Sequence, residues 1–284
     1  MTTMSIETNL RGRLRNTTLP LSNGLLPVFE AVVNSIHAIE DRKIPATSGK
    51  IEIEIVRDDQ LQLDFGNPLA NGGLVEESNR ISGFRFRDNG IGFTDQNMQS
   101  FRTLDSEHKS DRAGRGVGRL LWLKAFKRVS VESVFLSETE FKFRTFSFNS
   151  DVGIATENCV NLDRRENSTF VYLDGFEKRF QQACVKTASS IANQILEHCL
   201  WYFVRPGSVP RIFVKDSQFA GDWHIENVCS KPYRGRSGDS YHQGWVVSKN
   251  IAPPVIATNA QFEWDCWCST AANPSYEENE GYHA

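Results

Sequence analysis

The stretch FEAVVNSIHAIEDRK, from Phe29 to Lys43, combines a helical apolar pattern with an unusual polar pair. Its apolar residues recur at intervals of three and four, which predicts an amphipathic helix with one buried face. Glu30 and Asn34 lie one helical turn apart within that pattern, beside small and apolar residues. For this helix in isolation, the simplest interpretation is that Glu30 and Asn34 lie in solvent at the edge of the buried face. Motifs elsewhere in the chain therefore decide whether the pair has a chemical role.

The composition is that of an ordinary folded protein. Of the 284 residues, 39% are apolar and 24% are charged, which excludes a largely disordered chain. The formal charge of −3 gives no general indication of nucleic-acid or anionic-membrane binding. This length accommodates one large domain, or one domain with a smaller appendage.

The N-terminal residues and the cysteines indicate where the protein resides. No run approaches the roughly 20 apolar residues that span a bilayer, and the N-terminal residues lack the apolar core of a signal peptide. The six cysteines form no CxxC pair, which argues against a zinc site. Free thiols suit a reducing compartment. We therefore expect a cytoplasmic protein with no membrane segment.

Hydrophobic periodicity predicts helices and strands that run in blocks. The predicted helices are 25–43, 94–104, 117–128 and 183–204, and the predicted strands are 49–58, 60–65, 81–88, 129–137, 140–149, 168–176 and 210–216. Because these blocks do not alternate strictly, the pattern favours an α+β fold over a doubly wound sheet. The expected form is a two-layer α/β sandwich with helices on one face of a mixed sheet.

The same pattern divides the chain into three parts. Residues 1–24 are a polar leader, and residues 25–215 contain the predicted helices and strands. Residues 216–284 have weak periodicity and many turn formers, so we expect an appendage or the start of an incomplete second domain.

Two glycine-containing motifs follow the first helix. RDNGIGF (87–93) places a carboxylate at the end of a predicted strand, where it can accept a hydrogen bond from an exocyclic amine. GRGVGRL (114–120) opens a predicted helix, whose exposed N–H groups can bind a phosphate. An asparagine oxygen can ligate Mg²⁺, and a glutamate can activate water. Each motif alone is explained by an ordinary turn, but their order along the chain indicates a nucleotide site.

The set of motifs resembles the Bergerat ATP-binding fold of the GHKL superfamily, which includes gyrase, heat-shock chaperones, histidine kinases and mismatch-repair ATPases. Segment 30–38 is similar to the N-box, 88–92 to the Asp-x-Gly-x-Gly box, and 114–118 to the glycine box that follows the lid. NSTFVYL (167–173) is similar to the later strand whose threonine helps to hold the adenine. The resemblance covers roughly residues 25–214 and implies the Bergerat form of the sandwich.

The resemblance implies a role for each matching residue. Asp88 would bind the adenine amino group, supported by Gly92 and Thr169 through ordered water. Asn34 would bind Mg²⁺ across the phosphates, and Glu30 would be the general base. The residues implied to contact ATP or its Mg²⁺ are Asn34, Ala38, Asp88, Gly90, Ile91, Gly92, Gly114, Arg115, Gly116, Val117, Gly118 and Thr169.

Some features of the resemblance carry weaker implications. Segment 101–115 would be the lid that closes over ATP. Within it, Lys109 and Arg112 are either solvated surface charges or side chains that contact the phosphates. His37 stands where many relatives have aspartate or another polar residue, and we assign it no role. The leader is either a disordered basic segment or a segment that exchanges onto a partner when ATP binds.

Two functions stay open at this point. Glu30 favours an ATP hydrolase with slow turnover, lid closure and ATP-dependent homodimerisation, because histidine kinases of the superfamily usually lack this glutamate. We also expect no phospho-acceptor hairpin upstream. The alternative is a nucleotide-binding regulatory or interaction module with little turnover, within a larger DNA-acting or anti-phage defence protein. Under either function, a DNA or protein client would bind outside the ATP site.

Overall fold

The computed structural model describes residues 9–58, 80–103, 118–163, 166–204, 209–218, 222–229 and 243–250. Three sequence predictions lie outside these ranges: the strand at 60–65, most of the lid at 101–115, and the nucleotide contacts at 114–117.

Nine strands form one mixed sheet in the described residues. They are β1 Lys50–Arg57, β2 Ile81–Asp88, β3 Phe126–Ser137, β4 Glu140–Asn149, β5 Gly153–Asn161, β6 Ser168–Phe176, β7 Arg211–Asp216, β8 Asp222–Cys229 and β9 Gln243–Asn250. Their order is β5-β4-β3-β6-β2-β1-β7-β8-β9. Neighbours are antiparallel except for the parallel pair of β1 and β7. The predicted α+β class with a mixed sheet is confirmed.

Seven α-helices occur in the same described ranges. They are α1 Leu10–Asn16, α2 Leu26–Asp41, α3 Asp95–Arg102, α4 Gly118–Ala125, α5 Lys178–Ala183, α6 Ala188–His198 and α7 Leu200–Val204. None of these helices has the length and apolar character needed to cross a membrane.

Alternation along β1 explains how the sheet joins the helices. Ile51, Ile53 and Ile55 are fully buried, whereas the residues between them are only partly buried. The three isoleucines belong to one core with the buried residues of α2, α4 and α6. The helix predicted from FEAVVNSIHAIEDRK is confirmed as α2, whose apolar stripe lies in this core.

The predicted helix 117–128 is wrong at its end. The helix stops at Ala125, and β3 begins at Phe126. Phe126 pairs with Phe176 of β6, and their rings stack with centroids 4.9 Å apart. Pairing with a strand distant in sequence therefore overrides the local helical spacing.

The single long helix predicted at 183–204 is also wrong, because this segment contains the end of α5 followed by α6 and α7. Cys184 after α5 has extended backbone angles, which end that helix. Thr187 then begins α6, since its side chain accepts a hydrogen bond from the Ser190 N–H at 3.2 Å. The apolar spacing continues across both breaks, so periodicity alone does not reveal them.

Strand β5 was absent from the sequence prediction. From Thr156 to Asn161 its residues are exposed, so the strand has no buried face to produce an alternating pattern. Strands β8 and β9 add to the sheet beyond β7 and lie within the segment 216–284. At the other end of the chain, α1 is capped by Asn9 and buries Leu14. Exchange of the leader onto a partner stays a prediction.

Candidate active site

Glu30 on α2 lies against the first residue of α4. A Cβ built on Gly118 would collide with Oε2 of Glu30 and would lie 3.2 Å from its Cδ. Glycine at position 118 thus leaves the room that the carboxylate occupies. The structure therefore brings the predicted base next to Gly118, which belongs to the glycine motif that the sequence analysis linked to phosphate binding.

The surroundings of Glu30 are poorly solvated. Burial raises the pKa of Glu30 above its ordinary value of 4.5. Burial, together with the nearby Glu30 carboxylate, raises the pKa of the Cys199 thiol to about 12. Cys199 therefore stays a neutral thiol, while Glu30 is a stronger proton acceptor than an ordinary glutamate.

Asn34 is one helical turn from Glu30 and is exposed. Residues four apart on a helix lie on the same face, so the two side chains share one side of α2. A carboxamide oxygen beside a carboxylate matches the hard oxygen ligands that Mg²⁺ prefers. Asn34 thus offers one oxygen of the type that Mg²⁺ accepts, while the described residues contain no cluster of three His, Cys, Asp or Glu side chains that could hold a metal ion.

Asp88, the last residue of β2, is only 5% exposed. The Ser35 hydroxyl donates to its Oδ2 at 2.9 Å, and the Gly90 N–H donates to its Oδ1 at 2.9 Å. A buried carboxylate needs such donors. Because each carboxylate oxygen accepts more than one hydrogen bond, Asp88 can also accept one from a ligand amine.

A row of polar side chains continues from Asp88 across the sheet. Asp88 pairs with Thr169 of β6, which pairs in turn with Ser133 of β3. The hydroxyls of Thr169 and Ser133 lie 3.1 Å apart, and Ser133 accepts a hydrogen bond from the Phe93 N–H at 2.9 Å. Thr169, predicted to assist Asp88, therefore lies beside it in the same row.

The turn after Asp88 packs closely on both the helix and the sheet. The Ile91 N–H donates to the carbonyl oxygen of Ala38 at 2.8 Å. Gly92 has φ +83°, and a Cβ there would lie 2.8 Å from the Ser133 hydroxyl oxygen. Only glycine adopts this conformation in this space without strain. Helix α2 and the turn after Asp88 thus form one packed unit.

His37 has a structural contact that the sequence did not indicate. It is buried on α2, and its Nε2 lies 2.9 Å from the Tyr202 hydroxyl of α7. Either atom is the donor, depending on the histidine tautomer. His37 thus links α2 to α7.

Three residues missed by sequence reasoning position the site. Ser35 donates to Asp88, Ser133 supports Thr169 and Phe93, and Trp122 of α4 donates through Nε1 to the Pro27 carbonyl at 3.0 Å. Ser35 was detectable as a polar residue in the buried stripe next to Asn34. The other two depend on strand register and helix packing, for which a single sequence has no local signal.

A cavity of about 200 Å³ opens at the end of β1, β2 and β6 where Asp88 lies. Its lining includes Asp88 together with Lys50, Glu52 and Arg87. Glu52 lies 2.9 Å from Lys50 Nζ and 3.5 Å from an Arg87 nitrogen, and these cations lower its pKa against the opposing effect of burial. Internal ion pairs therefore account for these charges.

Comparison with known proteins adds no relative. No protein-family model matches the chain, and no curated protein matches it significantly.

Proposed function

We propose that this chain binds Mg-ATP between α2, the Asp88 turn and the start of α4, and hydrolyses it slowly. The supporting observation is that one helix reaches both ends of the site. Glu30 of α2 lies against Gly118, and Ser35 of the same helix donates to Asp88. Five residues of α-helix separate these contacts by about 7.5 Å along the axis. The proposed architecture is the two-layer Bergerat sandwich with helices on one face.

Asp88 would recognise the base. Ser35 and Gly90 donate to its two oxygens, and the adenine amino group would be a further donor to this carboxylate. Burial strengthens such a hydrogen bond because little water competes for the carboxylate. Thr169 lies in the same row and would support the contact through ordered water.

Asn34 and the start of α4 would hold the phosphates. The exposed Asn34 side chain would hold Mg²⁺, which when bound neutralises charge on the phosphate oxygens. The N–H groups at Gly118 would donate to the terminal phosphate. The other proposed contacts, Gly114, Arg115, Gly116 and Val117, lie outside the described residues.

Glu30 would act as the general base of hydrolysis. Its carboxylate accepts a proton from water, and the water oxygen forms a bond to the γ-phosphorus. The bond from that phosphorus to the β–γ bridging oxygen breaks, and this oxygen leaves with ADP. Glu30 then returns the proton to solvent or phosphate. The partly buried position of Glu30 beside Gly118 suits this role.

The raised pKa of Glu30 predicts the acid limb of the pH profile. Because the base must be ionised, kcat/KM falls as pH decreases through a pKa above 4.5. The same raised pKa affects the free energy of unfolding: the contribution of this carboxyl is fully present below 4.5 and is lost as pH rises through the raised pKa. Measurements of kcat/KM and of melting temperature across acidic and neutral pH test the two effects. An acid limb centred at or below 4.5 contradicts the assignment.

The second candidate function is a nucleotide switch with little turnover. After Asp216 the described residues include β8 and β9, which extend the sheet past β7 on the edge away from β1. In gyrase-like ATPases, which the sequence motifs resemble, the following domain instead supplies a lysine to the terminal phosphate. A site completed without such a lysine would use ATP mainly to close the lid and form a homodimer.

Molecular mass in solution separates the two candidates. We expect a dimer with Mg²⁺ and a nonhydrolysable ATP analogue, and a monomer with ADP, because only the third phosphate would reach the start of α4. Size-exclusion chromatography with light scattering gives the mass, and phosphate release gives the turnover. An analogue-dependent dimer with negligible phosphate release favours the switch. A mass that is the same in all nucleotide states contradicts ATP-dependent dimerisation.

The output of the cycle would depend on a client. We propose that a DNA or protein client binds through surfaces outside the ATP site, in the cytoplasm. The net charge of −3 supplies no general attraction for DNA, so a DNA client would need a local basic surface.

A further inference from the structure

Arg119 follows Gly118 in α4 and binds the end of a different helix. Its Nη1 donates to the Ser100 carbonyl at 3.3 Å, and its Nη2 donates to the Thr103 carbonyl. The guanidinium carbon also lies 5.3 Å from the ring centroid of Phe101. Arg119 thus makes three contacts with the last turn of α3 and its C-cap.

The chemistry of these contacts is specific to arginine. The last carbonyls of a helix lack donors within the helix, and a cation there is favoured by the helix dipole. A planar guanidinium supplies two diverging N–H donors and a flat surface that stacks on an aromatic ring. Lysine would supply one compact charge and could not make all three contacts at once.

Other contacts also hold α4 in place. Trp122 donates to the carbonyl of Pro27 at the start of α2. Phe101 of α3 packs near Trp122, Phe146 and Phe148, with ring centroids 6.3, 5.2 and 5.3 Å away. The contact between Glu30 and Gly118 therefore lies on a helix that is attached to α2 by Trp122 and to α3 by Arg119.

We propose that Arg119 is a positioning residue for ATP hydrolysis. By holding the end of α3 to the first turn of α4, it fixes Gly118 beside the Glu30 carboxylate. This inference rests on the proposed function and adds a residue outside the nucleotide-binding boxes. Arg119 acts on the geometry of the base and the terminal phosphate, while the Asp88 end of the site is held by separate hydrogen bonds.

Arg119→Ala is expected to lower kcat about tenfold, because a small displacement of Gly118 misaligns the base and the phosphate. The dissociation constant for a nonhydrolysable Mg-ATP analogue should rise by only about threefold, because the Gly118 contact to the terminal phosphate is disturbed while base recognition is independent of Arg119. Arg119→Lys should recover part of kcat because it restores the charge at the end of α3. Arg102→Ala is the matched control, since Arg102 lies on α3 and instead binds Glu157.

Phosphate release, analogue binding and hydrogen exchange of the 118–121 amides in nucleotide-free protein test the proposal together. Lower kcat, a much smaller loss of binding and faster exchange in Arg119→Ala, with wild-type values of all three in Arg102→Ala, support it. Wild-type kcat or unchanged exchange in Arg119→Ala overturns it, as does an equal loss of binding and kcat. If wild-type protein binds no Mg-ATP, the proposed function fails and the catalytic role of Arg119 fails with it. Hydrogen exchange of the 118–121 amides then still measures whether Arg119 holds α4 to α3.

Discussion

Glu30→Gln is expected to reduce ATP turnover by about 10²–10⁴-fold while Mg-ATP affinity stays nearly constant. Glutamine keeps the size of the side chain, so it can still fill the space beside Gly118 that the carboxylate occupies. It cannot accept the proton of the attacking water. Asn34, Asp88 and Gly90 are unchanged, so the contacts proposed to bind Mg-ATP remain.

The measurements are the dissociation constant from calorimetry and the phosphate release rate under saturating Mg-ATP. Glu132→Gln is the matched control, because Glu132 of β3 is a partly buried glutamate on a strand position that alternates with the core-facing residues. Comparison of Glu30→Ala with Glu30→Gln tests whether turnover depends on the carboxylate itself or on a side chain that fills the space beside Gly118. If either Glu30 variant binds ATP and hydrolyses it at the wild-type rate, Glu30 is not the base. Negligible phosphate release by the wild-type protein would instead favour the nucleotide switch.

The part of the site that lies within single elements was predictable from the sequence. Glu30 and Asn34 share a face because residues four apart on a helix are neighbours. The Asp88 turn was predictable because alternation identifies β2, and Gly90 and Gly92 end that pattern. In both cases the relevant spacing is local, and the structure contains the predicted elements.

The supporting contacts depend on pairs that are distant in sequence. Ser35 and Asp88 are separated by 53 residues, and Ser133 and Thr169 by 36. Their proximity follows from strand order and register, which no single segment encodes. For the same reason the sequence indicates only that Arg119 belongs to a predicted helix. Its partners, the carbonyls of Ser100 and Thr103, lie on the other side of the segment 104–117 in the chain.

The prediction of helices and strands failed where a strand is exposed to solvent, or where apolar spacing continues across a helix boundary. Strand β5 lies at the edge of the sheet, and its residues from Thr156 to Asn161 are exposed. It therefore lacks the alternation of buried and exposed residues that identified β1. The break between α5 and α6 lies inside a continuous apolar spacing, and only the capping by Thr187 marks it. Capping residues are therefore better indicators of these helix boundaries than periodicity.

Asp88→Asn is expected to lower ATP affinity about 10–10²-fold and to remove most of the discrimination between ATP and ITP. The substitution keeps an acceptor for the Gly90 N–H, and the Ser35 hydroxyl can rotate to accept from the new amide. The fold should therefore persist. The adenine amino group would lose a charged acceptor and would face a second donor.

Inosine makes this prediction specific to Asp88. Its 6-oxo group is an acceptor, so the wild-type carboxylate repels it, whereas the carboxamide introduced by Asp88→Asn could donate to it. The ratio of ATP to ITP affinity should thus fall about 10²–10³-fold in Asp88→Asn, which is more than the loss of ATP affinity alone. Competition binding with both nucleotides and a melting curve for each protein measure the effect. Asp174→Asn on β6 is the control, because its carboxylate pairs with Arg128 on the exposed part of the sheet. An equal loss of ATP and ITP affinity would mean that Asp88 maintains the turn but does not read the base, because a structural defect weakens both nucleotides alike.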